Sequence, residues 1–309
     1  MDIGIIKSKK TRAHILMIVL VLIWGFDYVP AKWALEIMPP WCLMFFKFAI
    51  AFFCMLVLTA VKRNRVKLVR IKDIPVFIAC ALFGQILYFF CEYSAMDYMP
   101  VLLLTIMLAF VPALSVVMER IIYKRHANGK IYIGIGICLL GIVLVVGADF
   151  GVIFQGRGLG YLLAIGGVFT WNIYNFITAA LKDYDSITLT MTQTLCTGLI
   201  LAPFALSMMP GPEAFSGPVV FGILWIGIVD SGMGYLIMVY ALKVIGPTPS
   251  ALYSDFMPVT TAFFGAVFLG ESITWLQALG GIIVIAAGFI VIREKGLIDE
   301  QRLQGEHMH

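Results

Sequence analysis

Three carboxylates and one lysine stand where their chemistry is costly. Asp27, Asp230, Asp255 and Lys47 all fall inside long apolar runs of the sequence. An ionisable side chain at that depth is expensive unless it is paired or hydrated, so it marks a functional site by default. Asp27 belongs to the stretch Trp24-Gly25-Phe26-Asp27-Tyr28-Val29-Pro30-Ala31-Lys32. Aromatic residues accompany the acids: Trp24, Tyr28, Tyr88, Trp171, Tyr235 and Tyr253, with the amides Asn172 and Asn175 beside Trp171. Carboxylates among aromatic faces attract an ammonium or guanidinium group by charge and by cation–π contact. The same residues also admit plain packing roles. Asp27 and Lys47 lie at similar depth on adjacent segments, so a buried ion pair is expected between them. Whether that pair is structural or opens to a substrate or proton stays open. Asp230, within Ile228-Val229-Asp230-Ser231-Gly232-Met233-Gly234-Tyr235, reads as an unpaired midplane acid suited to handling a proton or cation. Glu92 reads as close to a segment end and hydrated.

The elements that must hold these residues are helices in a membrane. The chain has 309 residues, of which 61% are hydrophobic and 13% charged, far from the balance of a soluble domain. A membrane span needs about 20 mostly apolar residues. Ten stretches qualify: 13–35, 40–61, 74–95, 99–121, 130–148, 159–180, 187–207, 219–241, 248–268 and 274–292. Backbone groups in lipid must be satisfied within a segment or a closed barrel, so each stretch is expected to be a helix. The first has no small-residue cleavage site and reads as a retained helix. The basic residues cluster at the amino end and in the even-numbered loops, with Lys32 and Arg157 the exceptions near the other surface. This asymmetry predicts a multi-pass protein of the cell membrane with both termini cytoplasmic.

The chain also repeats itself. Trp24 and Trp171 are 147 residues apart, Pro112 and Pro258 are 146 apart, and Gly134 and Gly141 are each 147 before Gly281 and Gly288. Two five-helix halves follow, residues 1–148 and 149–309, the second with a short cytoplasmic tail. Five is odd, so the second half is expected upside down relative to the first. Inverted repeats around a midplane site are the sequence mark of secondary transporters that work by alternating access.

Residues at both ends of the chain resemble one family. Trp24-Gly25 with Lys32 is similar to the W-G-x-x-x-x-x-x-K opening of the drug/metabolite transporter superfamily, in its ten-helix EamA branch. Pro40 followed by Lys47 resembles that branch's P-x-x-x-x-x-x-R-F, with lysine in place of arginine. Pro258, Leu269-Gly270-Glu271, Gln277, Gly280-Gly281 and Gly288 resemble its closing pattern. The resemblance implies an all-α integral membrane protein of ten transmembrane helices in two inverted five-helix repeats, exporting or exchanging small organic metabolites. Two departures bear on the site. An acid at Asp27 is unusual for the family, and Lys47 keeps the charge of an arginine but loses its planar fork for carboxylates.

The resulting expectation is a secondary-active exporter or exchanger for a small cationic or zwitterionic solute, such as an amino acid, amine or quaternary ammonium compound. Coupling to protons or to a counter-solute stays open. Asp27, Lys47 and Asp230 are the candidates for coupling. Trp24, Asp27, Tyr28, Tyr88, Trp171, Asn172, Asn175, Asp230, Tyr235, Tyr253 and Asp255 are the candidates for substrate binding. Neither a cofactor nor a metal is expected, and the partners are a small molecule and membrane lipid, with no nucleic acid. The six cysteines lie in apolar segments without metal-ligand spacing and read as small hydrophobes. An intramembrane aspartyl-type enzyme and a non-transporting scaffold are the alternatives. The first would need two aspartates sharing a proton, and the second would not need acids at midplane depth.

Overall fold

The computed structural model describes residues 3–62, 68–124, 128–147, 158–178, 181, 183–245, 253 and 256–306. Each of the ten predicted spans corresponds to helix among the described residues. The first is Ile3–Leu35 and the second Pro40–Lys62. The third runs from Ile74–Cys80 through a π-helical segment, Ala81–Leu87, into Tyr88–Ala95. The fourth is broken into Val101–Leu108 and Val111–Tyr123. The fifth is Gly129–Gly147, the sixth Gly158–Thr178 and the seventh Ser186–Ser207. The eighth runs from Gly217–Leu224 through a second π-helical segment, Trp225–Gly234, into Tyr235–Ile245. The ninth is Met257–Leu269 and the tenth Trp275–Glu306. Seven of these helices are long and apolar enough to cross a membrane, and two shorter apolar ones, Gly129–Val145 and Met257–Leu269, join them.

The irregularities have local causes. Pro112 and Pro258 each sit in the first turn of their helical piece, where the missing N–H costs nothing. The break before Val111 frees backbone carbonyls, and Asn172 Nδ2 donates to the Val111 carbonyl at 3.3 Å. The ninth helix ends on Gly270 in the left-handed region (φ 64°), where glycine carries no Cβ penalty. π-Helical turns interrupt the regular hydrogen-bond ladder and occur often at functional sites. Here they fall in the third and eighth spans, at Ala81–Leu87 and Trp225–Gly234.

Apolar side chains such as Val57, Phe53, Leu140, Leu199 and Phe263 are exposed on the outside of the bundle, as expected where the solvent is lipid. Inside, close approaches depend on glycine. The fifth and tenth helices cross at Gly141 and Gly280, where a Cβ on Gly280 would lie 2.7 Å from the Gly141 carbonyl oxygen. Small residues at such a crossing let two backbones meet, the principal source of helix attraction in lipid.

Ion pairs tie the ends of the bundle. Lys32 Nζ meets Glu271 Oε1 at 2.8 Å, while Glu271 Oε2 accepts from the Val101 amide at 2.9 Å. Glu271 therefore joins the first helix to the start of the fourth. At the opposite ends, Lys295 pairs with Glu119 at 2.7 Å, and Arg70 reaches Asp73 at 2.7 Å and Asp183 at 3.2 Å.

Candidate functional site

Lys47 is the centre of a buried ionic cluster. Its ammonium lies 2.8 Å from Asp230 Oδ2 and 3.8 Å from Asp27 Oδ2. It also donates to the Tyr93 hydroxyl at 3.2 Å and sits 3.9 Å from the centroid of the Phe89 ring. Glu92 completes the group. Its Oε1 accepts from Tyr28 at 2.8 Å and from Tyr88 at 2.9 Å. Lys47 is 1% exposed, Glu92 5%, Asp230 6% and Asp27 8%. Each charge comes from a different helix: Asp27 from the first, Lys47 from the second, Glu92 from the third and Asp230 from the eighth. Three carboxylates thus face one ammonium. Asp230 Oδ2 gains a further hydrogen bond from Ser231 Oγ at 2.9 Å, whereas Asp27 Oδ1 is buried and makes no hydrogen bond among the described residues.

The local sequence explains the geometry. Tyr88 and Glu92 are four residues apart on one helix and so share a face. Asp230 stands in the π-helical part of the eighth span. The tight packing around that segment comes from glycine: a Cβ on Gly227 would meet Ile50 of the second helix at 2.6 Å.

A second polar group is uncharged. Tyr174 donates to Gln193 Oε1 at 3.1 Å, and Thr197 donates to Gln85 Oε1 at 2.6 Å. Cys80 Sγ lies 3.4 Å from Thr178 Oγ1. Gln193 is 3% exposed, and among the described residues its Nε2 makes no hydrogen bond, with the Cys80 thiol beside it. Trp171 stands between the two groups, its ring 4.8 Å from Tyr88 and 5.1 Å from Tyr174 by centroids. Tyr235 lies within electrostatic reach of Tyr174, Lys47, Asp230 and Glu92.

The predicted residues divide accordingly. Asp27, Tyr28, Lys47, Tyr88 and Asp230 come together in the ionic cluster, with Trp171 and Tyr235 beside it. The reading of Asp230 as unpaired is corrected: Lys47 is its partner, and is closer to it than to Asp27. Glu92 is likewise buried rather than hydrated. Trp24 packs instead with Met17, Leu20 and Ala241, against Gly234, where a Cβ would lie 2.9 Å from its Nε1. Trp24 thus meets the eighth span and Trp171 the third. Tyr253 pairs with His14 at 2.9 Å. Asn172 is fully buried and donates to the carbonyls of Val111 and Val168. Asn175 is exposed, and Asp255 lies outside the described residues. The residues that sequence reasoning left out of the site are Glu92, Tyr93, Phe89, Gln85 and Gln193. For Glu92 the tyrosine four residues before it was an available signal. For Gln193 there was none, because an amide in an apolar helix is common.

Known proteins match both the sequence and the fold. Residues 11–147, and again residues 158–293, match the EamA-like transporter family. The chain belongs to that family. It is a multi-pass membrane transporter by that membership, and the two matched EamA segments begin 147 residues apart. An uncharacterized transporter of Archaeoglobus fulgidus is 27% identical over 284 residues, covering 91% of this chain and 97% of its own. A probable amino-acid metabolite efflux pump of Salmonella typhimurium is 23% identical over 288 residues, covering 89% and 93%. One solved structure, described only as a crystal structure of a protein, is similar with a TM-score of 0.61 at 15% identity, covering 91% of this chain and 97% of its own. At that identity the likeness concerns the fold of the EamA bundle.

Proposed function

We propose that this EamA transporter is a secondary-active exporter or exchanger of a small cationic or zwitterionic metabolite, an amino acid or amine, working by alternating access. One observation carries the reading: two buried carboxylates share one lysine, a third, Glu92, is held beside them by tyrosines, and Asp27 Oδ1 has no hydrogen-bond partner among the described residues. Buried charge must be compensated. With the carboxylates ionised, the cluster is short of positive charge, and an incoming ammonium supplies it. Tyr28 and Tyr88, whose hydroxyls donate to Glu92, add aromatic rings to the cluster, and aromatic faces favour a cation further. The amino-acid metabolite efflux named for the relative from Salmonella typhimurium agrees with this class and with outward transport.

Lys47 is placed to couple binding to movement. It holds Asp230 tightly and Asp27 loosely, so a substrate ammonium, or a proton, at Asp27 competes with the weaker contact. Asp27 and Asp230 sit on the first and eighth helices, and any shift of Lys47 between them changes how those helices are held. The basic-loop asymmetry supports a cell-membrane protein with both termini in the cytoplasm. The aspartyl-enzyme alternative is disfavoured by the same geometry. A proteolytic dyad shares a proton between two carboxylates, whereas a lysine stands here with both.

Reconstitution in liposomes tests the proposal. Radiolabelled amino acids and amines that stabilise the purified protein should be taken up faster when the same solute is trapped inside. Peptide cleavage without flux would favour the enzyme, and neither flux nor cleavage would favour a scaffold.

A further inference from the structure

The ionic cluster has an uncharged counterpart at matching positions of the other matched segment. Tyr174 follows Asp27 by 147 residues, Gln193 follows Lys47 by 146, and Asp230 follows Gln85 by 145. The contacts correspond as well. Lys47 of the second helix meets Asp27 of the first and Asp230 of the eighth. Gln193 of the seventh helix meets Tyr174 of the sixth, and Thr197, one turn on, meets Gln85 of the third. Asp230 and Gln85 both occupy π-helical segments. The same architectural position is therefore built twice, once with charges and once with an amide–hydroxyl set.

The neutral set is incomplete as it stands. Gln193 is 3% exposed; among the described residues its amide nitrogen makes no hydrogen bond and has only the Cys80 thiol, a weak acceptor, beside it. A buried polar group left unpaired is destabilising, and a bound acceptor relieves it. Trp171 lies between the two sets, against Tyr88 at one and Tyr174 at the other.

We infer that Gln193, with Tyr174 and the Gln85–Thr197 pair, forms a second subsite that takes the carboxylate end of an amino acid whose side-chain ammonium or guanidinium, at the far end of the molecule, lies at Asp27. This deepens the transport reading above and rests on it. A carboxylate is repelled by Asp27, Glu92 and Asp230, so a zwitterion needs its anionic end held away from them. Neutral amide donors do this without a further buried charge. Trp171 and Tyr235 then flank the body of the substrate between the poles.

The test compares lysine, ornithine and arginine, whose side chains end in a cation, with their own decarboxylation products, read by thermal shift and by counterflow in liposomes. Each pair shares a side chain and differs in the carboxylate. Wild-type protein should bind the amino acid of an accepted pair more tightly than the amine. Gln193→Leu should weaken the amino acid about tenfold, the worth of one hydrogen bond to a charged group, and leave the amine within about twofold. Gln193→Glu, which keeps the size and polarity but adds negative charge, should weaken the amino acid further and spare the amine. Asp27→Asn should weaken both members of the pair. Equal losses for amine and amino acid in both Gln193 variants, or no loss in either, would overturn the second subsite while leaving the cation reading intact. Wild-type protein that binds neither member of any pair, or Asp27→Asn that changes neither, would overturn the cation reading and the subsite with it. If Gln193→Leu fails to fold, the Gln193→Glu comparison decides alone.

Discussion

Lys47 and Asp230 form a 2.8 Å ion pair between the second helix and the eighth, with Lys47 1% exposed. The pair links a helix of one matched segment to a helix of the other. Removing one partner of such a pair leaves an uncompensated buried charge, a loss of about 3–5 kcal/mol. Lys47→Met alone is therefore expected to destabilise strongly, since it strands three acids. The double variant Lys47→Met with Asp230→Asn should recover part of that loss. Unfolding in detergent measures both, and a double variant no more stable than Lys47→Met would deny the coupling.

Glu92 is the acid that two tyrosines hold. Glu92→Gln keeps an oxygen for Tyr28 and Tyr88 but removes one negative charge from the cluster. Affinity for a cationic or zwitterionic solute should fall by about tenfold, on the scale of a charge-assisted contact, with thermal stability nearly unchanged. A titration of ligand-induced thermal shift gives both numbers in one experiment.

Asp185 caps the seventh helix outside the membrane span. Its Oδ1 accepts from the amides of Ile187 and Thr188, both at 3.0 Å, and its Oδ2 from the Thr188 hydroxyl at 2.6 Å. Burial pushes the carboxyl up, but these hydrogen bonds outweigh it and hold the group below the usual carboxylate range. A depressed folded-state value means that the cap contributes fully above the ordinary carboxylate pKa of about 3.9. The contribution is lost as pH falls through the lower folded value. Asp185→Ala should cost about 1 kcal/mol at neutral pH. The gap from wild type should hold down to about pH 4 and narrow only below it, as melting curves from about pH 7 to about pH 2 would record.

Two glycines on facing helices predict opposite outcomes for the same change. Gly280 meets the Gly141 carbonyl, whereas nothing lies within 4 Å of a Cβ on Gly136. Gly280→Leu should cost about 2–3 kcal/mol by overpacking the crossing. Gly136→Leu should be neutral or slightly stabilising, since it fills open lipid-facing space on a helix. Comparable losses at both positions would contradict the close crossing.

The fold was legible because the bilayer leaves the chain few choices. A run such as 40–61 must be a helix, and the structure places Pro40–Lys62 there. Proline was an available signal for the break in the fourth span, at Pro112. The π-helical segments were not, since Ala81–Leu87 and Trp225–Gly234 differ from their surroundings in hydrogen-bond register rather than in composition. That gap explains the error at Asp230. Depth along a helix placed Lys47 level with Asp27, but the π segment and the glycines of the eighth span bring Asp230 closer still. Trp24 and Trp171 are paired by the repeat spacing. Sequence could not say that Trp24 packs on Gly234 among apolar side chains while Trp171 joins two polar groups, because both sit at the same position in their segments.

Competition by charge class in liposomes tests the central claim most directly. Wild-type protein carrying out counterflow of an accepted amino acid should be inhibited by cationic and zwitterionic solutes and left untouched by anionic ones. Asp27→Asn should lose that inhibition together with affinity for the transported solute. Inhibition by anions with no effect of cations, or an Asp27→Asn variant that transports and discriminates as wild type does, would contradict a cation-binding site at Asp27.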